Sequence, residues 1–148
     1  MQQYNINIKK LDERAIIPKY GTEFSAGCDL YSVSDEEIII KAHETVLIHT
    51  GIAMEIPEGN AGFIFARSGL ATKKGLAPAN KVGVVDADYR GEIMVALHNQ
   101  TNEDKVIDAH ERIAQMVIMP FAKAIFNEVE ELTDTVRGEG GFGSTGTK

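Results

Sequence analysis

Residues 52–60 read Ile52-Ala-Met-Glu-Ile56-Pro-Glu-Gly-Asn60, and this short stretch shows the pattern on which the rest of the chain is built. Ile52, Met54 and Ile56 occupy every second position, which is typical of a strand that buries one face. The Pro-Glu-Gly-Asn cluster that follows is rich in residues that favour turns. The stretch therefore predicts a short strand that ends in a tight turn.

The same arrangement recurs along most of the chain. Tyr4, Ile6 and Ile8 alternate with polar residues near the start. Further runs rich in β-branched and aromatic residues, separated by Gly, Pro, Asn or charged clusters, lie at residues 38–40, 45–48, 63–65, 82–85, 93–97, 106–107, 116–118 and 124–129. Many short strands at regular spacing predict an all-β sandwich or barrel.

One segment suits a helix, since no stretch sustains an apolar stripe at helical spacing over a dozen residues. Residues 68–75 read Ser-Gly-Leu-Ala-Thr-Lys-Lys-Gly. We expect Ser68 to be the N-cap, the two lysines to lie in the last turn, and Gly75 to end the helix. The sequence thus predicts one short helix within a β protein.

Length and charge narrow the classes of function. The chain has 148 residues, which suits one domain, and its 43% apolar and 25% charged residues are ordinary for a globular protein. Fifteen Lys and Arg against 22 Asp and Glu give a net charge of −7. An acidic chain argues against binding to nucleic acid or to an anionic membrane. A small anionic ligand remains compatible, because a few local arginines and backbone N–H groups can hold a phosphate.

Cysteine content and apolar runs argue for an intracellular protein. Cys28 is the single cysteine, which excludes an intrachain disulfide and a multi-cysteine zinc site. The start lacks the basic and apolar regions of a signal peptide. Uncharged runs such as 113–122 are about half the ~20 residues that a membrane helix needs. We therefore expect a soluble protein of the cytoplasm.

Two segments carry residues that suit an anion or a cation. Asp29 interrupts the apolar pattern of residues 26–32, so it needs either a structural hydrogen bond or a hydrated cation. Arg67 and Ser68 stand at the start of the predicted helix. They suit an anion site, and they equally suit an ordinary helix start with a surface arginine.

Residues 83–93 look like a hairpin with two aspartates at its tip. Aspartates commonly form turns, which is one interpretation. The other is that Asp86 is a general base with the aromatic ring of Tyr89 beside it. Asn80, just upstream, carries an amide that could bind the edge of a pyrimidine.

The C-terminus is rich in glycine. Residues 141–146 fit the G-x-G-x-x-G pattern, but the chain ends two residues later, so neither a dinucleotide-binding helix nor a phosphate-binding P-loop can follow. Composition alone indicates a mobile terminus. Phe142, Arg137, Ser144 and Thr145 favour instead a lid that orders when a phosphorylated ligand binds.

Taken together, the segments resemble the five motifs of the trimeric dUTPase family, in family order and over nearly the whole chain. The motifs are Ala26-Gly-Cys-Asp-Leu-Tyr-Ser32, Ala66-Arg-Ser-Gly-Leu-Ala71, Gly83-Val-Val-Asp-Ala-Asp-Tyr-Arg-Gly-Glu-Ile93, Glu111-Arg-Ile-Ala-Gln115 and Arg137-Gly-Glu-Gly-Gly-Phe-Gly-Ser-Thr-Gly146.

The resemblance implies a fold and an activity. The fold is an all-β, jelly-roll-like distorted barrel of the β-clip type over residues 1–136, followed by a flexible C-terminal arm, 137–148, that closes over the active site. The implied assembly is a homotrimer with shared active sites. The implied reaction is Mg²⁺-dependent hydrolysis of dUTP to dUMP and pyrophosphate, which supplies dUMP for dTMP synthesis and keeps uracil out of DNA.

The resemblance also implies residue roles. Asp86 corresponds to the general base that activates water for attack on the α-phosphorus, and Tyr89 to the residue that leaves no room for a ribose 2′-hydroxyl. Asp29 corresponds to the aspartate that reaches Mg²⁺ through water. The remaining substrate-binding residues implied are Arg67, Ser68, Gly69, Asn80, Gly83, Val85, Met94, Gln115, Arg137, Phe142, Gly143, Ser144 and Thr145.

One position departs from the family pattern, and two other functions stay open. His110 occupies a place that is usually glycine, so the turn must adapt if that residue needs a positive φ.

The dCTP deaminases share the implied fold, and a nucleotide-binding regulator could use the same scaffold. Turnover of dCTP, or dUTP binding without hydrolysis, would indicate these alternatives.

Overall fold

The computed structural model describes residues 3–141, which form twelve strands and one helix. The elements in chain order are β1 (Asn7–Lys10), β2 (Lys19–Tyr20), β3 (Cys28–Tyr31), β4 (Ile38–Ile40), β5 (Thr45–His49), β6 (Ile52–Glu55), β7 (Asn60–Phe65), α1 (Ser68–Lys74), β8 (Leu76–Pro78), β9 (Gly83–Val85), β10 (Met94–Asn99), β11 (Lys105–Ile107) and β12 (Arg112–Pro120). The prediction of a mostly β chain with one short helix is confirmed.

The strands form four antiparallel sheets, of which the largest positions the candidate site. Its strand order is β2-β3-β12-β7-β9, and the others are β5-β10-β8, β1-β6 and β11-β4. The nine-residue β12 lies at the centre, pairing with β3 on one side and β7 on the other. A register shift between Arg112 and Ala114 bends β12 beside β3. Among the described residues no sheet closes on itself.

The core lies between these sheets. Strand β10 illustrates this arrangement. Its buried residues alternate strictly with partly exposed ones, as expected when one face of a strand packs on the core. Leu30, Ile48, Leu97 and Ile113 come from different strands and are at most 1% exposed. Their contact in one cluster joins the sheets into a single unit.

Two predicted β features are wrong. Residues 124–129 form no strand, because within the described chain they have no neighbour to pair with and their side chains are exposed. Residues 83–93 are not a paired hairpin. Strand β9 pairs with β7, whereas β10 pairs with β5 and β8, so the intervening residues form a turn that connects two sheets.

The helix ends as predicted but begins one residue earlier. Arg67 holds the N-cap position, without a side-chain capping bond, and Ser68 is the first helical residue rather than the cap. The Ser68 carbonyl accepts a hydrogen bond from the Thr72 hydroxyl at 2.7 Å. Gly75 ends the helix with φ of 67°, and its N–H bonds to the Leu70 carbonyl.

Within residues 3–141, no helix is long and apolar enough to span a membrane.

His110 adopts the positive φ that its family position led us to suspect, with a value of 54°. Its N–H donates to the Ser34 carbonyl at 3.0 Å, and its Nε2 lies 2.7 Å from Asp35 Oδ1. Arg14 binds the other oxygen of Asp35 and also binds Asp12. Arg14 lowers the pKa of Asp12 to about 2. The turn therefore keeps a glycine-like backbone, with the imidazole hydrogen-bonded to Asp35 and Asp35 paired with Arg14.

Two glycines in or beside α1 give a matched stability test. Gly75→Ala is expected to destabilise the fold by about 1–2 kcal/mol, because an L-residue is strained at positive φ and the added methyl would meet Thr101. Gly69→Ala, with open space around it and helical backbone, is expected to stabilise by about 0.5 kcal/mol. Urea unfolding at one protein concentration measures both. Equal effects would contradict the conformational argument.

Candidate active site

The predicted site residues gather at two cavities. The first, which we call the arginine cavity, has a volume of about 450 Å³. It lies where the ends of β3, β7 and β12 meet the start of α1. Its lining is Gly21, Ser25, Ala26, Gly27, Asp29, Phe65, Arg67, Ser68, Gly69, Arg112, Gln115 and Val117. It thus includes the predicted residues Asp29, Arg67, Ser68, Gly69 and Gln115.

Asp29 is the electrostatic centre of the arginine cavity. Arg67 Nε donates to its Oδ1 at 2.8 Å, and Arg112 Nη1 donates to its Oδ2 at 3.2 Å. The Asp29 side chain is 14% exposed, whereas that of Arg112 is 51% exposed. One carboxylate therefore orients two guanidinium groups whose remaining N–H donors are available to an anion.

The Gln115 side chain is held between the backbones of Ala66 and Gly27. Its Nε2 donates to the Ala66 carbonyl at 2.9 Å. A Cβ atom at Gly27 would lie 2.7 Å from Gln115 Oε1, so the absence of a side chain at residue 27 leaves room for the carboxamide. Cys28, beside Gly27, is buried, and burial raises the pKa of its thiol. It packs rather than reacts.

The second cavity, which we call the turn cavity, has a volume of about 260 Å³ and lies beside the turn at residues 86–92. Its lining is Leu47, Ile64, Asn80, Gly83, Val84, Val85, Asp86, Tyr89, Glu92, Ile93 and Met94. It therefore contains all the predicted residues of this part of the chain, namely Asn80, Gly83, Val85, Asp86, Tyr89 and Met94.

The turn that spans residues 86–92 fixes Tyr89 through its own glycine. The Tyr89 N–H donates to the Asp86 carbonyl at 3.2 Å. The Tyr89 hydroxyl donates to the Glu92 carbonyl at 2.9 Å. A Cβ at Gly91 would lie 2.5 Å from the Tyr89 hydroxyl oxygen, so the ring lies across the space that glycine leaves. Asp86 is exposed, and its carboxylate makes no hydrogen bond within residues 3–141.

The two cavities belong to separate surfaces of one chain. Ile64 lines the turn cavity, and its neighbour Phe65 lines the arginine cavity. Successive residues of a strand point to opposite faces of the sheet. The two linings share no residue. A single chain therefore does not bring the residues around Asp86 and those around Arg67 into one enclosed site.

The C-terminal residues predicted for the site lie apart from both cavities or outside the described chain. Arg137 is exposed, and its Nε donates to the Gly140 carbonyl at 2.9 Å. Phe142, Gly143, Ser144 and Thr145 fall outside residues 3–141. The segment 121–139 before them is exposed throughout.

The donor set fits Mg²⁺ only as an ion carried by a ligand. Residues 3–141 contain no group of three or more His, Cys, Asp or Glu side chains placed to hold a metal. Asp29 is the single carboxylate of the arginine cavity, and each of its oxygens already accepts from an arginine. A carboxylate oxygen has a second acceptor site, which suits a water of a hydrated Mg²⁺ ion.

Sequence reasoning missed two residues. Arg112 stands inside a quoted motif, but only the pairing of β12 with β3 places it beside Asp29. Glu92 is the last residue of the turn at 86–92, and its side chain binds back to His49 and Gly51, which the sequence does not reveal. The sequence predicts only residues 116–118 of β12 as a strand, and it does not predict which strands pair with β12.

Comparison with known proteins identifies the family. Residues 13–146 match the family model described as dUTPase. Deoxyuridine 5′-triphosphate nucleotidohydrolases from Nautilia profundicola and Hydrogenobaculum sp. are 53% and 50% identical, each covering 95% of this chain and 98% or 97% of the relative. The chain belongs to the dUTPase family, and it is an enzyme of that family.

Solved structures agree with this assignment. The dUTPase of Staphylococcus bacteriophage 80alpha with dUpNHpp superposes with a TM-score of 0.88 at 28% identity, covering 97% of this chain and 99% of the phage chain. A phage phi11 dUTPase variant, at a TM-score of 0.77 and 25% identity, covers 86% and 98% and coordinates a structural Mg(II) ion. The predicted jelly-roll-like fold is confirmed.

Proposed function

We propose that the chain hydrolyses dUTP to dUMP and pyrophosphate. The supporting observation is that every predicted site residue from 29 to 115 lines one of two cavities, one with paired arginines and one with a free carboxylate beside an aromatic ring. A nucleoside triphosphate has matching parts, a polyanion and a base with its sugar. The relatives named for this reaction cover nearly the whole chain.

Asp86 is the proposed general base. Its exposed carboxylate has no partner within the described chain, so it is free to hold a water molecule. The carboxylate takes one proton from that water as the oxygen attacks the α-phosphorus. The bond from the α-phosphorus to the bridging oxygen breaks, and pyrophosphate leaves. Positioning of this water is proposed to supply most of the rate acceleration, because a carboxylate is a weak base at neutral pH.

The turn cavity is proposed to select the nucleoside. Asn80 and the backbone of β9 offer hydrogen-bonding groups to the uracil edge, with Val85 and Met94 as apolar walls. Tyr89, fixed against Gly91, occupies the space beside deoxyribose and leaves none for a 2′-hydroxyl. A tight cavity of this kind also rejects the methyl group of thymine.

The arginine cavity is proposed to hold the triphosphate. Arg67, Ser68, Gly69 and Gln115 provide the contacts implied by the family, and we add Arg112 because it shares the Asp29 carboxylate. Mg²⁺ would enter with the phosphates and screen their charge. Asp29 would meet only its water shell. The protein groups neutralise and align the phosphates, which favours in-line attack.

A homotrimer with shared sites is proposed because one chain separates the two cavities. Joining the arginine cavity of one copy to the turn cavity of another would complete each site. The exposed segment 121–139 carries apolar side chains that a neighbouring copy could cover, including Ile125, Phe126 and Leu132, which are 87–92% exposed. The arm from 137 onward, with Arg137 and Phe142, is proposed to close over the bound nucleotide.

The proposed role in the cell follows from the product. The reaction would remove dUTP before it enters DNA and would release dUMP, the precursor of dTMP. We place this activity in the cytoplasm, where nucleotides are interconverted.

The activity is tested by pyrophosphate release with Mg²⁺ from dUTP, dTTP, dCTP and UTP in parallel. Release from dUTP alone is expected, since the turn cavity is proposed to read the uracil edge and to leave no room for the thymine methyl or the 2′-hydroxyl. Release from dCTP together with ammonia would instead assign a deaminase. Binding of dUTP without release from any nucleotide would identify a sensor and contradict the proposal.

The general base has a matched control two residues away. Asp86→Asn is expected to lower kcat by about 10²-fold or more while dUTP binding is kept, because the amide cannot accept the proton. Asp88→Asn, an exposed aspartate outside the cavity lining, is expected to retain wild-type kcat. Steady-state rates and equilibrium binding of dUpNHpp measure the two effects. Wild-type turnover in Asp86→Asn would overturn the assignment.

Sharing of sites is tested by mixing two inactive variants. Asp86→Asn and Arg67→Ala each damage a different cavity. When the two chains are refolded together at equal amounts, about one quarter of the sites should combine two intact cavities, since each contributing chain is drawn at random. Recovery of about that fraction of wild-type activity is expected. Activity that stays at the level of the separate variants would show that each chain builds its own site.

A further inference from the structure

Glu92 joins the turn at residues 86–92 to the neighbouring sheet. Its Oε1 accepts the Gly51 N–H at 2.8 Å, and its Oε2 lies 2.8 Å from His49 Nδ1. The Glu92 side chain is 22% exposed, so these bonds are partly shielded from water. Both carboxylate oxygens are thus committed to residues that precede Glu92 by about forty positions.

The point to which Glu92 is tied is rigid. Gly51 has φ of 69°, and a Cβ there would lie 3.0–3.1 Å from Ala15, Val33 and Asp12. Its carbonyl accepts the Leu11 N–H at 2.7 Å. Gly51 is buried and packed on several sides, so a group that binds its N–H has a fixed anchor.

The backbone of Glu92 is tied to the substrate-facing side of the turn. Its carbonyl accepts the Tyr89 hydroxyl at 2.9 Å. The next residue, Ile93, donates its N–H to the Ile52 carbonyl at 2.9 Å and accepts the Thr50 hydroxyl. The end of the turn therefore rests on residues 49–52, and the Tyr89 ring rests on the end of the turn.

Few other side chains restrain this turn. Arg90 donates to the carbonyls of Ala87 and Tyr89, which lie within the turn itself. Its contact with Glu55 is 3.9 Å long between groups that are both 54% exposed. An exposed ion pair at that distance adds little. Of the two side-chain links that join this turn to the rest of residues 3–141, the one made by the Glu92 carboxylate is the stronger.

We propose that Glu92 is a positioning residue for nucleotide selection. Through its bonds to Gly51 and His49, its side chain sets the carbonyl that holds the Tyr89 hydroxyl, and thereby the distance between the Tyr89 ring and the sugar. Glu92 lines the turn cavity, but both of its carboxylate oxygens are bound to His49 and Gly51, so its proposed role is to position Tyr89. It acts on discrimination between deoxyribose and ribose and on KM. The inference rests on the proposed hydrolysis of dUTP.

The kinetic test compares three variants with the wild-type protein. Glu92→Ala is expected to raise KM for dUTP about tenfold or more and to lower the dUTP-to-UTP ratio of kcat/KM by a similar factor, since hydrogen bonds to a charged group are lost. Glu92→Gln keeps an acceptor for Gly51 and should recover most of this loss. Glu55→Gln neutralises the long ion pair with Arg90, which lies outside the proposed anchor, and should match the wild-type protein.

A second measurement does not depend on activity. Hydrogen exchange of peptides that cover residues 83–93 should quicken in Glu92→Ala and stay at the wild-type rate in Glu55→Gln. If the wild-type protein fails to release pyrophosphate from dUTP, the proposed function fails, while the exchange result still tests the anchoring. If Glu92→Ala does not fold, His49→Ala, which removes one of the two bonds, is expected to give a smaller shift in the same direction.

Three results would overturn the inference. One is a folded Glu92→Ala variant with wild-type KM and a wild-type dUTP-to-UTP ratio. Another is a variant of lower Tm whose exchange increases across the whole chain rather than in residues 83–93, which would show a general structural role. The third is a Glu92→Gln variant that recovers neither KM nor the dUTP-to-UTP ratio, which would contradict the stated hydrogen bonds.

Discussion

The pairing register of β12 is the constraint on which the rest of the structure depends. Gln115 stands opposite Asp29 of β3 and, on its other side, opposite Phe65 of β7. Three segments far apart in sequence are thereby placed in one row across the sheet. A shift by one residue would turn Gln115 to the other face and expose the buried Met116. Burial of the apolar face of β12 therefore also positions the polar groups of the arginine cavity.

Much of this architecture could be predicted from local patterns. Short alternating runs such as Ile52, Met54 and Ile56 identify strands because their period of two has a direct physical cause. Gly75 marks the end of α1 because an αL residue is needed there. The candidate site residues were found because carboxylates, arginines and an aromatic ring in fixed order resemble a known family, and the family model covers residues 13–146.

The remainder depends on contacts between distant segments. Residues 83–93 have the composition of a hairpin, but Val84 pairs with Phe63 and Met94 pairs with His49, so the two arms enter different sheets. No local pattern reveals which strands pair with each other. A local pattern also does not reveal that the Glu92 side chain binds His49 and Gly51, which lie more than forty positions earlier in the sequence. Residues 124–129 have strand composition without a partner in the described chain, and propensity alone cannot supply one.

The exposed segment 121–139 has a consequence for how long the protein persists in a cell. Val136 and Phe126 stand almost fully in water, next to other uncovered apolar side chains. Whatever surface covers them contributes free energy that depends on the concentration of that surface. A chain newly made, or strongly diluted, leaves them open to proteases and to unintended neighbours. If copies of this chain cover one another there, as proposed, the abundance of the protein becomes part of what keeps each molecule intact.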